Sequence, residues 1–468
     1  MPDGDDVTHP PAPPAAPPAI PHQRGYRGPI ELHELPPGAL TSYPRKSRRA
    51  LLVNGILALV AALALAGGAV YVVGHRTLST PTEAAAAPAK KLPGTPFEAV
   101  LAALKVQSNA LLKNDEKGWL AAVDPGQPKL LAHYQSVFTS LRALGVTSFD
   151  YKLHSDDYSS TKAMGLIADL SYCFTDNPCP TGKDDRPKTK QKLKVKVVRG
   201  KWVITASTTK KSEDDLQPAP WENGDLVFAK GKRVTLVAQA SEKKYFAELL
   251  PVAEAAAAVN DRFATLVNNP QKRYRVYLAG KKQWQTWYGG MSDKWVVGFA
   301  SPLNKAGMDV VLNMPALKNE PRLLRTTIQH ELGHVVTLGA SHSEDNGTGD
   351  MWLEEGVAEY IGWYPQPATA SWRRQSVHAL FAGSHRPKSI AVRALGSDAR
   401  MEEGDSFYGF GHFAADCMAK KYGQGALFTF VRLYLREDKD LDAAARQAFG
   451  QSFSAVDRTC LAYIRSRA

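Results

Sequence analysis

The chain has 468 residues, more than one ordinary core holds, and its length points to two or three units. Its formal charge of +12 and pI near 9.3 would suit an anionic surface or acidic substrate, and are equally a solubility feature. No aromatic-interleaved basic patch or recognisable nucleic-acid module accompanies that charge, so nucleic acid is excluded as a partner.

Residues 1–49, with "HPPAPPAAPPAIPH", are proline-rich and poor in bulky apolar side chains. They read as a disordered tail. "RKSRR" at 45–49 then precedes 25 uncharged residues, Ala50 to Gly74, long enough to span a bilayer with some tilt. The basic residues crowd the N-terminal side of this run. The positive-inside rule therefore predicts a single transmembrane helix over 50–74, acting as a signal anchor. It puts a cytoplasmic tail on one side and everything beyond residue 75 outside the cell. A cleaved signal peptide or a buried apolar helix is the competing reading.

Residues 75–95 read as a Pro/Ala linker. From 96 to 215 the expectation is a small α+β domain. Helical periodicity runs from Phe97 to about Leu144, and after Ser148 the period becomes two. Strands are predicted at "FDYKLHS", "AMGLIADLSYCFT", "KLKVKVV" and "KWVITAS", the last two joined by a turn at Arg199-Gly200. Helices followed by an antiparallel meander resemble, in element order, the half-barrel of the nuclear-transport-factor-2-like superfamily. Lys192, Lys194 and Lys196 alternate with apolar residues, which predicts a solvated sheet face, with a polyanion-binding strip as the alternative reading.

All four cysteines, Cys173, Cys179, Cys417 and Cys460, lie beyond the predicted anchor, and an even count there reads as disulfides. Three connectivities are possible. The pairing expected is Cys173–Cys179, closing "CFTDNPC", with Cys417–Cys460.

Residues 220–468 form the last predicted domain. Strands "DLVFAKG", "RVTLVAQ", "RYRVYLA", "WVVGFA" and "MDVVLN", with a long helix from about Glu242 to Val267, are followed after 320 by helices alone. This predicts a mixed-sheet lobe and then an all-helical lobe. On the first of those helices stands "TTIQHELGHVVTLGA". A shuffled chain of this composition shows H-E-x-x-H at a frequency of roughly 1%. Leu324, Ile328, Leu332, Val335 and Val336 form an apolar stripe, with His330, Glu331 and His334 on a neighbouring face. Histidines at i and i+4 can chelate one ion. A third ligand is sought in "DMWLEEGVAEYIGWY", where Glu355 and Glu359 share a helix face.

H-E-x-x-H followed some twenty residues later by W-L-x-E-G-x-A-x-Y resembles the gluzincin metallopeptidases, most of all the aminopeptidase-related, peptidase-MA-like group, here of an actinobacterial, membrane-anchored type. The resemblance implies one Zn2+ held by His330, His334 and Glu355, with Glu331 as general base. It makes Glu359 the acidic group that fixes a ligand histidine. Glu354, at a variable position, is expected to face solvent. In "YGFGHFAADCMAKKYG", Tyr408, Gly411 and Gly423 match a Tyr-x-x-Gly helix whose tyrosine reaches the oxyanion; a core or rim tyrosine is the other reading. His412 reads as structural, with a place in the cleft as the alternative. "GMDVVLN" departs from the G-x-M-E-N motif that holds a substrate's free amine, so the resemblance implies an endopeptidase rather than an aminopeptidase. A metzincin arrangement fails because Gly339 and His342 each lie two residues too far on. The function expected is a membrane-anchored extracellular hydrolase of peptide or protein substrates. Its rival is a non-catalytic cell-surface binding protein that keeps the fold.

Overall fold

The computed structural model describes residues 95–209, 218–293, 295–340, 350–383, 386–396 and 399–468, with backbone alone at 155–159. The first unit opens with helices α1 (Pro96–Leu112), α2 (Glu116–Leu120) and α3 (Pro128–Ala143). Thr95 and Glu98 cap α1 reciprocally, each side chain accepting from the other's backbone N–H, with Pro96 at the first helical position. Strands β1 (Val146–Ser159), β2 (Ala163–Phe174), β3 (Lys188–Val198) and β4 (Lys201–Thr209) follow as an antiparallel meander. Arg199 and Gly200 both take positive φ between the paired Val198 and Lys201, the backbone of a two-residue hairpin turn. On β3, Lys192, Lys194 and Lys196 are exposed, while Leu193 and Val195 are buried.

The connector to the second unit is inserted against the inner face of this sheet. Trp221 lies 5.9 Å from the ring of Phe149 and 5.3 Å from that of Tyr172. Its neighbour Glu222 is buried and accepts hydrogen bonds from Gln191 Nε2 (2.9 Å) and the Ala219 N–H (2.8 Å). Burial outweighs these bonds and pushes its carboxyl up to about 7, from an ordinary 4.5. The folded state thus holds a proton that the unfolded chain releases. This contribution is complete below pH 4.5 and lost as pH rises through 7, on the order of 3 kcal/mol. Glu222→Gln is expected to flatten the stability profile between pH 5 and 8. Urea midpoints of both proteins at the two pH values check this; parallel profiles would assign the slope to other groups.

The second unit holds a five-stranded sheet, β5 (Leu226–Lys230), β6 (Val234–Gln239), β7 (Tyr274–Ala279), β8 (Gly298–Pro302) and β9 (Met308–Asn313), in the order β5-β6-β7-β9-β8. β6, β7 and β9 run parallel; β5 and β8 pair antiparallel at the two edges. Strand β8 starts three residues later than "WVVGFA" predicts. It ends at Pro302, which an edge strand tolerates because its N–H needs no partner. Both faces of the sheet are buried. Val234, Leu236, Val276, Leu278, Val310 and Leu312 pack with the helical lobe, while Val237, Tyr277, Ala279 and Val311 pack with the first unit. At that second boundary Arg275 and Asp309 form a buried ion pair at 2.7 Å, and Tyr288 donates to Asp309 at 2.6 Å.

The remaining helices are α4 (Phe246–Leu266), α5 (Lys281–Trp284), α6 (Met314–Leu317), α7 (Pro321–Leu338), α8 (Met351–Trp363), α9 (Arg374–Ala382), α10 (Met401–Tyr422), α11 (Gln424–Val431), α12 (Leu441–Phe449) and α13 (Phe453–Arg467). Disulfides join Cys173 to Cys179 and Cys417 to Cys460, the latter tying α10 to α13.

One expectation is corrected. Among the described residues no helix is long and apolar enough to cross a membrane. The fold class of the described residues is therefore α+β with a sheet lobe and a helical lobe, and the predicted transmembrane helix is not among them. The predicted single-pass placement at the cell membrane, with extracellular C-terminal domains, falls with it. The longest helices show why. Helix α4 carries Glu248, Glu254, Asp261 and Arg262, and α10 carries Glu402, Glu403, Asp405, Asp416, Lys420 and Lys421. Charges at such density are costly in hydrocarbon. The run 50–74 that prompted the expectation, the tail at 1–49 and nearly all of the linker lie outside the described residues.

Candidate metal centre

Helix α7 is amphipathic in an unusual sense, because its polar face is buried as well. Leu324, Ile328, Leu332 and Val336 enter the core, while His330, Glu331 and His334 are only 6%, 5% and 7% exposed. Neighbouring side chains fix the helix by its backbone. Asn260 donates to the Gln329 carbonyl at 3.0 Å, and Asn269 and Arg436 donate to the terminal Gly339 carbonyl at 3.2 and 2.8 Å. The bonds to Gly339 satisfy a carbonyl that the helix end leaves open.

Helix α8 crosses α7 closely enough to bring Glu355 over the two histidines. The approach depends on glycine. A Cβ on Gly362 would stand 3.0 Å from His330 Cβ, and one on Gly333 would stand 3.4 Å from Ala358 Cα. Behind α8, Gly356 meets Gly411 of α10 backbone to backbone, and a Cβ on either would come within 2.8 Å of the other's main chain. The glycines of "EGVAEY" and "YGFG" are thus one contact, which seats Tyr408 and Glu355 on a common frame.

Three donor atoms converge here. His330 Nε2 lies 3.1 Å from His334 Nε2 and 3.1 Å from Glu355 Oε2, and His334 Nε2 lies 3.3 Å from the same oxygen. A tetrahedral ion with bonds of about 2.0–2.1 Å separates its ligand atoms by roughly 3.3 Å. Two imidazole nitrogens and one carboxylate oxygen at that spacing fit zinc in donor chemistry and in size. Glu359 Oε1 stands 3.2 Å from Nδ1 of His330, where it favours a proton on Nδ1 and leaves Nε2 its lone pair. Among the described residues Nδ1 of His334 is buried without a hydrogen-bond partner.

Burial alone would lower His330, but its hydrogen bonds with Glu355 and Glu359 raise it to about 10. Burial opposes charge on Glu355 too, yet the facing His334 and His330 hold its carboxyl far below the usual range. Glu359 is depressed to about 2 against the cost of burial, chiefly by Arg373 and His330. Glu331 goes the other way: burial raises it more than the histidines lower it.

Beside these groups opens a cleft lined by Glu331, Thr326, Leu323, Arg373, Tyr408 and the start of β8. Tyr408 stands ring to ring with His330 at 5.7 Å, and burial pushes its hydroxyl well above its ordinary value. Gly298 of β8 lies against the polar face of α7, and a Cβ there would meet Glu331 Oε1 at 2.8 Å and Thr327 Cγ2 at 2.7 Å. Gly298→Ala is expected to push the Glu331 carboxylate aside while leaving the three converging donor atoms in place. A crystal structure of the variant checks it; an unmoved carboxylate would mean that the strand yields instead.

The structure brings His330, Glu331, His334, Glu355, Glu359 and Tyr408 together around one point. Glu354 is partly buried rather than solvent-facing, and burial pushes its carboxyl up to about 7. His412 is fully buried beside Trp363 and does not line the cleft. His342 lies outside the described residues. Sequence reasoning missed Arg373, whose Nη1 donates to Glu359 (3.0 Å) and Nε to Asp405 (3.1 Å), with its guanidinium 5.3 Å from the Tyr408 ring. It sits just before α9, outside any periodic pattern, and "SWRRQS" carries no signal for it.

The chain matches no family model and no curated protein. Among solved structures it is similar to an NTF-2 like protein of unknown function from Shewanella oneidensis MR-1, at 16% identity and TM-score 0.21, over 25% of this chain and 100% of that one. It is also similar to an M1 zinc metallopeptidase from Deinococcus radiodurans, at 17% identity and TM-score 0.30, over 58% of this chain and 59% of that one. A variant of a two-domain M1 zinc metallopeptidase bound to L-arginine is similar at 14% identity and TM-score 0.29, with the same coverage. The chain spans about three fifths of the length of these M1 proteins. Scores this low place the chain in no family.

Proposed function

We propose that this protein is a zinc-dependent peptidase, with His330, His334 and Glu355 holding the ion and Glu331 serving as general base. The observation that carries the reading is the convergence of two imidazole nitrogens and one carboxylate oxygen within 3.3 Å, with a buried carboxylate beside them in an open cleft. Zinc bound there supplies Lewis acidity, lowering the pKa of water toward about 7 and polarising a carbonyl oxygen. Glu331 accepts the proton of the attacking water and returns it to the leaving amine; its raised pKa suits a group that must both take and release a proton near neutrality. Tyr408 donates a hydrogen bond to the developing oxyanion. Glu359 holds the His330 ring, and Arg373 holds Glu359.

The substrate is an extended peptide or protein segment pairing with the edge strand β8, whose first residue, Gly298, lies against Glu331. Strand β9 lies inside the sheet between β7 and β8 and has no free edge to offer. The departure from the amine-holding motif favours internal cleavage over removal of N-terminal residues. A diverse peptide library offered to the zinc-loaded protein tests the reading. Cleavage that is abolished by chelation and restored by zinc supports it; an inert zinc-loaded protein would leave the non-catalytic binding role.

A further inference from the structure

The first unit does more than cover the sheet, because its loop between β2 and β3 grips the turn between β8 and β9. Asn177 Nδ2 donates to the Ala306 carbonyl at 2.6 Å. Asn304 Nδ2 donates to the carbonyls of Asp184 and Arg186 at 2.8 and 3.3 Å. The Lys305 N–H donates to the Asp185 carbonyl at 3.2 Å, and its ammonium pairs with the Asp185 carboxylate at 2.7 Å. Gly307, at φ +110°, leaves room for Asn177, since a Cβ there would meet Asn177 Nδ2 at 2.8 Å. The gripping loop is itself constrained at its start by Cys173–Cys179, and its Asp176 reaches Arg273 at 3.7 Å.

The held turn is the far end of β8. That strand has five residues, roughly 17 Å from end to end. Pro302 runs into the gripped turn, and Gly298 lies on Glu331 and Thr327. Its side chains divide between the layers: Ala300 packs toward the helical lobe and Phe299 toward the first unit, where it meets Trp284 at 5.3 Å. An edge strand is hydrogen-bonded on one side only, so its position depends on whatever holds its ends.

We propose that the 96–209 unit is the positioning element of the substrate-binding edge, acting through Asn177 and Asp185 on the β8–β9 turn. This rests on the peptidase reading, in which β8 receives the peptide. The unit makes no contact with the reacting atoms; it sets where the paired peptide lies relative to Glu331.

The test uses the full chain with Asn177→Ala and Lys305→Ala combined, beside a charge-swapped protein, Asp185→Lys with Lys305→Asp. Hydrogen exchange at the amides of 298–303 is expected to quicken about tenfold in the first. KM for a cleaved peptide should rise roughly tenfold, with kcat within about twofold and zinc content unchanged. The swapped protein should recover both values. Unchanged exchange at β8, or quickened exchange with an unchanged KM, would overturn the proposal. So would a kcat that falls together with zinc content, which would make the contact merely structural. If the wild type cleaves no peptide, the peptidase reading fails by itself, and the exchange measurement still decides whether the loop holds β8.

Discussion

Glu331→Gln is expected to retain zinc and fold while losing 100- to 10,000-fold in peptide hydrolysis, on the order of 3 to 5 kcal/mol of barrier. The substitution is nearly isosteric, and Glu331 is not one of the three converging donors, so neither the metal site nor the packing against Gly298 should change. What changes is proton transfer, because an amide cannot accept the water's proton and hand it on. Assays of kcat/KM with metal analysis on the same preparation separate this from metal loss. Equal cleavage by both proteins would point to a contaminating protease. Hydrolysis reduced only a few-fold would move the base elsewhere in the cleft.

Much of this centre was legible in the sequence because it is written in local spacing. Histidines four apart on α7 and carboxylates four apart on α8 share their helix faces wherever those helices go. The Arg199-Gly200 turn was legible for the same reason, since the residues that fix a two-residue hairpin are the turn residues themselves. Arg373 and Asp405 were not. They stand 32 positions apart, and their meeting at Glu359 depends on where α9 and α10 lie against α8. The boundary of β8 was missed by three residues because Trp295, Val296 and Val297 are apolar enough to read as strand but line the mouth of the cleft instead.

The relation between the two units was the least legible feature. Nearly unbroken apolar strands such as "VTLVA" and "VYLA" signal a sheet covered on both faces, without naming the cover. Here the cover is the α+β unit, whose Trp221 connector and β2–β3 loop contact the sheet on one side and at one end. Those contacts join residues more than a hundred positions apart, such as Asn177 with Ala306. No periodicity within either segment records such a choice. The buried Arg275–Asp309 pair belongs to the same boundary, where Phe174 lies 4.8 Å beneath the guanidinium. An ion pair in that position requires the first unit over it, since uncovering Arg275 and Asp309 would also bare Tyr277 and Val311. The sheet lobe is therefore expected to depend on residues 96–209 for its own packing.

Glu355→Ala is expected to lower zinc affinity by more than about 100-fold, beyond the 10- to 100-fold typical of removing an outer hydrogen-bonding partner. Glu355 Oε2 lies within 3.3 Å of both imidazole nitrogens, so its loss leaves two neutral donors on one helix to hold a doubly charged ion. Glu359→Gln makes the graded comparison. It keeps all three donors but removes the negative charge beside Nδ1 of His330, so its cost should fall within that smaller range. Competition with a chromophoric chelator measures all three proteins on one scale. The expected order is wild type tightest, Glu359→Gln intermediate and Glu355→Ala weakest, with hydrolysis at subsaturating zinc falling in the same sequence. Undiminished affinity in Glu355→Ala would put the third ligand elsewhere. Glu354 would be the next group to substitute, because its partly buried carboxyl lies on the same turn of α8 and already feels the charge of His334.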